Sequence, residues 1–239
     1  MNNLFFYGII IITASALLQG LSGFGFSILS LPLLVMFISP KTAVPMLLIF
    51  SIVINLSVLA SCWRFFSFKN IWLVLLGGIA GLPLGTYLLL ILDDVWLRKG
   101  IGIFIVIFAL LLLSGRRWKL KREKTTQLAI GFFSGIFSGS VSMSGPPVIL
   151  FLSNKGLQKD EFRASLSGYF LLLNLFTIPV FYFNGLFTRE VMRFCFNWSF
   201  ALIVGVLAGT FIAGKIRSEK FNRLVLVLLL LTGILSLIK

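Results

Sequence analysis

Two short runs of glycine, serine and proline stand inside apolar stretches of this 239-residue chain. The first reads Gln19-Gly20-Leu21-Ser22-Gly23-Phe24-Gly25-Phe26-Ser27 and runs on to Pro32. The second reads Ser138-Gly139-Ser140-Val141-Ser142-Met143-Ser144-Gly145-Pro146-Pro147. A broken helix leaves backbone N–H groups without acceptors, and a half-helix N-terminus carries about half a positive charge. Two such tips facing each other form an anion cradle without a buried Lys or Arg. In that reading Gly20, Gly23, Gly25, Gly139 and Gly145 allow close approach, while Ser22, Ser27, Ser138, Ser140, Ser142 and Ser144 supply hydroxyl donors. Asn55 and Asn174, on the spans that follow, offer amide donors. Each has a second reading: small residues let helices pack tightly, serines return their hydroxyls to the backbone, and the two asparagines pair between helices. Pro146 and Pro147 suit the first turn of a half-helix after Gly145, and with Pro32 they are structural helix breaks rather than ligand contacts.

Whatever positions these runs lies in a membrane. Of the residues, 59% are hydrophobic and 12% charged, against roughly 45–50% and about 25% in soluble domains. Residues 42 to 63, 71 to 92, 164 to 187 and 194 to 214 contain no charged side chain. Each reaches the roughly 20 residues that cross about 30 Å of hydrocarbon. Residues 100 to 115 and 224 to 238 are shorter spans of the same kind. Unpaired backbone groups in hydrocarbon cost several kcal/mol each, so a glycine- or proline-broken stretch is tolerated there mainly where it lines a cavity. A matched pair of such stretches points to a transporter's substrate site.

The composition also excludes functions. The net charge of +14 comes from 21 Lys and Arg set almost wholly in connections between apolar segments, which marks topology rather than a nucleic-acid surface. There is no His, and Cys62 and Cys195 stand alone, so no metal or cofactor site is expected. The carboxylates Asp93, Asp94, Glu123, Asp160, Glu161, Glu190 and Glu219 all fall in connections. No intramembrane acid, nucleophile or base is left for an enzyme, and no buried proton carrier is expected. Ala14-Ser15-Ala16 mimics a signal-peptidase site, but Met1-Asn2-Asn3 carries no basic side chain and the apolar pattern continues, so this segment is read as mature structure. Trp63, Trp72, Trp96, Trp118 and Trp198 mostly fall near span ends, as an interfacial belt would place them.

The chain reads as an internal duplication. Gly20 aligns with Gly139 and Asn55-Leu56 with Asn174-Leu175 at an offset of 119; Gly85-Thr86-Tyr87 aligns with Gly209-Thr210-Phe211 at 124. The expected division is a first transmembrane repeat over 1–114, a basic linker over 115–125 and a second repeat over 126–239. A continuous helix over residues 4 to 38 would measure about 52 Å, whereas residues 4 to 18 or 26 to 38 alone give about 20 Å. Two half-helices folded as a re-entrant hairpin fit better. A hairpin and three spans per half inverts the second half, and places 15 of the 21 basic residues on the linker's side; an all-spanning count leaves 11 against 10. The fold expected is therefore an all-α polytopic membrane protein of two inverted repeats, each a broken hairpin plus three transmembrane helices.

These residues resemble a known family. Gly20 to Pro32 followed by Leu33-Leu34, and above all Ser144-Gly145-Pro146-Pro147-Val148-Ile149-Leu150-Phe151 with Glu161-Phe162-Arg163-Ala164, are similar to the two signature regions of the sulfite exporter TauE/SafE family. The resemblance spans essentially the whole chain. It implies a multi-pass permease of the bacterial inner membrane that moves small sulfur-containing or organic anions, such as sulfite or sulfoacetate, usually outward. A channel of the same architecture is the alternative. The expected partners are that anion and the lipid bilayer, with no nucleic acid and no oligomeric state specified. Phe24, Phe26 and Met143 stand among the small residues and bear on which anion fits. Arg163 either guides substrate at the inner mouth or pairs with Asp160 or a lipid headgroup.

Overall fold

The structure is a computed structural model that describes residues 2–113 and 123–213. The expected span 224–238 and most of the linker lie outside them. The described residues form α-helices joined by turns: α1 (Asn2–Ser22), α2 (Phe26–Leu34), α3 (Pro40–Cys62), α4 (Trp72–Ile91), α5 (Asp94–Leu113), α6 (Lys124–Val141), α7 (Gly145–Ser153), α8 (Lys159–Phe183) and α9 (Arg189–Ala213). Among the described residues five segments are long and apolar enough to cross a membrane: Leu4–Ser22, Pro40–Phe65, Trp72–Ile91, Lys159–Phe183 and Arg189–Ala213.

Both broken segments are unequal pairs. α1 runs about 31 Å and α2 about 13 Å at 1.5 Å per residue, so the first break falls at Gly23-Phe24-Gly25 and not at residue 18. The helix continues through Gly20 because that glycine serves a neighbour: a Cβ there would stand 2.9 Å from Gly209 Cα in α9. Gly139 likewise stays helical in α6, pressed on Leu82 O and Thr86 N of α4. The true breaks lie where the backbone turns left-handed, at Gly23 (φ +84°), Gly25 (φ +105°) and Ser142 (φ +53°). Pro146 and Pro147 take the first turn of α7, while Pro32 sits within α2 rather than at its break.

Two long helix pairs hold the breaks. Gly77, Gly81 and Gly85 of α4 face Leu128 O, Phe132 O and Ile136 O of α6, and Gly131 and Gly135 return the contact to Val74 O and Gly78 O. Glycine every fourth residue on both helices lets the backbones touch, the close packing that replaces hydrophobic driving force in lipid. The order of these contacts makes α4 and α6 parallel. α1 and α9 are parallel in the same way, through Gly8 on Trp198, Gly205 on Thr13 and Gly209 on Leu17. Trp198 is therefore 1% exposed, stacked on Phe194 at 4.8 Å, and is a packing residue, not part of an interfacial belt; Trp63, Trp72 and Trp96 are exposed.

Polar ties fix the ends of the rods. Thr42 Oγ1 donates to Glu190 Oε2 at the start of α9 (3.4 Å), and Lys159 Nζ donates to Ala213 O at its end (2.8 Å). Along α4 the order reverses: Lys155 Nζ reaches Asn70 O (3.0 Å) and Asn70 Nδ2 donates to Glu161 Oε1 (3.0 Å) before its start, while Lys41 Nζ donates to Leu90 O (2.9 Å) at its end. A lysine at terminal carbonyls is favourable in both places. Helices α3 and α8 thus start at opposite ends of α9, which at about 37 Å spans the depth of a bilayer core.

Candidate functional site

The two tips meet. One small cavity is lined by Gln19, Phe24, Gly25, Ser27 and Ile28 from the first break, by Ser142, Met143, Ser144 and Gly145 from the second, and by Ser51 of α3 and Phe170 of α8. Its volume is about 20 Å³, room for about one water molecule. Two helix N-termini open onto it. First-turn N–H groups have no acceptor within their own helix. In α2, Phe26 N–H is taken by Gln19 Oε1 at 3.1 Å, which leaves Ser27 and Ile28 as donors; in α7, Pro146 and Pro147 have no N–H, which leaves Gly145.

A polar frame sets each tip. Gln19 Nε2 donates to Asn55 Oδ1 (2.7 Å), and Asn55 Nδ2 donates to Ser51 Oγ (2.9 Å). Asn174 Nδ2 donates to the same oxygen at 3.0 Å. Both lone pairs of Ser51 are then engaged, and its O–H is left to donate at the cavity it lines. On the other side Tyr169 O–H donates to Ser134 Oγ (2.8 Å), whose own proton goes to Ser144 O (2.6 Å). That carbonyl is thus occupied. The hydroxyls of Ser27, Ser51, Ser142 and Ser144 donate to no acceptor among the described residues, and the lining contains no carboxylate. Donors without matching acceptors are the arrangement an oxyanion satisfies.

The residues singled out from the sequence divide into three groups. Gly25, Ser27, Ser142, Ser144 and Gly145 line the cavity; Asn55 and Asn174 stand behind it, holding Ser51. Gly20 and Gly139 lie at helix crossings, Ser140 Oγ donates to Ile136 O (2.7 Å), and Ser22 Oγ sits 2.8 Å from Leu18 O and 2.6 Å from Phe24 O. Gly23 carries the positive-φ turn beside Arg163. Gln19 and Ser51 escaped the sequence reading. Ser51 was findable, since it lies one helical turn before Asn55 and shares its face.

A wider chamber of about 280 Å³ adjoins the tips, lined by Ser22 and Phe24 on one side and by Lys159, Phe162 and Arg163 of α8 on the other. Phe24 borders both spaces. Arg163 is 6% exposed; its Nη2 donates to Gly20 O at 2.9 Å, and Nη1 lies 3.6 Å from Asp160 Oδ1. Arg163 thus pairs with Asp160 and also lines the chamber.

A family model, Sulfite exporter TauE/SafE, matches residues 7–236. Comparison with curated proteins and with solved structures finds no match. With a match over nearly its whole length, and with apolar helices that meet at two broken tips, the chain belongs to the sulfite exporter TauE/SafE family of membrane transporters.

Proposed function

We propose that this protein carries a small sulfur-containing or organic oxyanion, sulfite or a sulfonate such as sulfoacetate, outward across a bacterial inner membrane, holding it between the two tips. The observation that carries this reading is the single cavity where both helix N-termini and four uncommitted hydroxyls converge. In this state the space admits about one water molecule, so the tips must part to take an oxyanion and close after it leaves. The binding set proposed is Ser27, Ser51, Ser142 and Ser144 with the N–H groups of Ile28 and Gly145. Gly20, Gly23, Gly139, Ser22 and Ser140 shape the tips, and Asn55 and Asn174 orient Ser51.

The proposed architecture is two inverted repeats, 1–114 and 126–239, each with a re-entrant hairpin. Opposite starting ends for α3 and α8 support it, since Lys41 and Thr42 sit at one end of α9 and Lys159 at the other. Matching crossings support it too: Gly20 rests on Gly209 and Gly139 on Gly85, and because the sequence offsets align Gly20 with Gly139 and Gly209 with Gly85, each crossing is the counterpart of the other. Arg64, Lys69, Lys155, Lys159 and Arg163 gather at the end where α8 starts, which the positive-inside rule makes cytoplasmic.

Purified protein in proteoliposomes, offered sulfite, thiosulfate, sulfoacetate and simple carboxylates, tests the reading. Saturable flux with counterflow is expected for at least one sulfur oxyanion, and loss of it in Gly145→Val. Conductance steps in a planar bilayer would mean a channel. No flux of any of these anions would end the proposal.

A further inference from the structure

We propose that the chamber beside the tips is a separate loading site for the oxyanion, on the face where α8 starts, with Arg163 and Lys159 as its charged walls. The inference rests on the transport reading above and adds to it a place where substrate waits outside the closed tips. Four observations lead there.

The first is size: at about 280 Å³ the chamber is many times the tip cavity, and a polyatomic oxyanion fits without any movement. The second is charge. Arg163 and Lys159 both line it, together with the hydroxyl-bearing Ser22 and Ser153, and no carboxylate does. Glu161 accepts from Asn70, while Asp160 faces Arg163 itself at 3.6 Å and offsets part of its charge. The third is unspent donor capacity. Lys159 Nζ gives one hydrogen bond, to Ala213 O, and an ammonium has three protons. Arg163, though 6% exposed, keeps an Nε with no acceptor among the described residues. The first turn of α8 adds its own N–H groups, because its cap residue Gln158 supplies no side-chain hydrogen bond.

The fourth observation is the connection to the tips. Phe24 walls both the chamber and the tip cavity. It hangs between Gly23 (φ +84°) and Gly25 (φ +105°), two positions whose backbone turns freely only as glycine. A Cβ on Gly23 would stand 3.1 Å from Arg163 Cγ, and Arg163 Nη2 grips Gly20 O from the same side. Chamber and break are therefore in direct contact, with one ring between the waiting anion and the tip donors.

Cationic walls of this kind raise local anion concentration on one face of the molecule only. The test is sulfite flux in proteoliposomes of known protein orientation, with KM measured separately for substrate offered to each face. Lys159→Gln and Arg163→Gln should each raise KM from the α8-start face about tenfold, the low end of what charged clefts do, and leave KM from the other face unchanged. Arg163→Lys should restore most of the loss. Wild-type KM on the α8-start face should also rise with ionic strength, and that rise should flatten in the double Gln variant. Because Arg163 also holds Gly20, Lys159 is the decisive position: its hydrogen bond goes to Ala213 O and not to a tip residue. An unchanged KM in Lys159→Gln, or an equal rise on both faces, overturns the loading site while leaving transport between the tips intact. Absence of sulfur-oxyanion flux in the wild type overturns both.

Discussion

Asn55 and Asn174, 119 positions apart in the chain, donate to one and the same atom, Ser51 Oγ, at 2.9 and 3.0 Å. Residues that the proposed repeat aligns thereby converge on a hydroxyl that has no counterpart, since the position aligned with Ser51 at the same offset is Phe170. The cavity is donor-rich on the α3 side and aromatic on the α8 side.

Ser51→Ala removes the shared acceptor and strands two amides that are 0% and 4% exposed. Each unsatisfied donor costs about 1–3 kcal/mol, so a lower thermal unfolding midpoint is expected together with about a tenfold rise in KM for the transported anion. A variant with normal KM would remove Ser51 from the binding set.

The tip glycines differ in what they tolerate. Gly25→Val forces a branched side chain to φ +105°, and Gly145→Val meets Ile149 Cδ1, already 3.1 Å from the Cβ position. Both variants should reach the membrane and transport nothing. Gly156→Ala, also at positive φ (+70°) but in open space, should cost about 1–2 kcal/mol of stability and keep wild-type flux. Normal efflux from both valine variants would place the substrate elsewhere.

Topology can be read by labelling. With Cys62 and Cys195 replaced, Asp93→Cys, exposed after α4, and Gln158→Cys, exposed before α8, should react with an impermeant maleimide from opposite faces. Asp93→Cys is expected to label in intact cells and Gln158→Cys only after the membrane is opened. Reaction of both from one face would defeat the inversion.

The tip lining has no carboxylate, and the described acids stand at or beside helix starts, as Asp94, Asp160 and Glu190 do. Export should therefore run on voltage alone. An inside-negative potential of 100 mV contributes about 2.3 kcal/mol per charge. Efflux from proteoliposomes should accelerate when valinomycin and a potassium gradient make the lumen negative, and should persist with pH clamped equal on both sides. Flux that ignored voltage and followed a pH gradient would require a proton route.

The helical membrane class and the two breaks were legible because glycine, serine and proline interrupt otherwise unbroken apolar runs. What each glycine does was not. A missing Cβ serves either a left-handed turn, as at Gly25, or a backbone crossing, as at Gly20 and Gly139, and the letter is the same for both. The crossing partners, Gly209 and Gly85, lie far along the chain and are fixed only by packing. Ser51 went unnoticed for a related reason: its role depends on Asn174, a residue of another helix. Trp198 fell near a span end in the sequence, yet in space it fills the hollow over Gly8.

The exchange of partners between halves has a consequence for how the protein is made. α1 rests on α9 and α4 on α6, so each broken segment is completed by a helix from the other half. At about 5–20 residues per second of synthesis, the glycine face of α4 waits several seconds for α6, and α1 waits for nearly the whole chain. During that interval both must lie in lipid or against the insertion machinery with their small-residue stripes uncovered. Neither half can reach its final packing alone, which makes the nascent chain a long-lived client of whatever shields such stripes, and makes separately expressed halves stable only when they are inserted together.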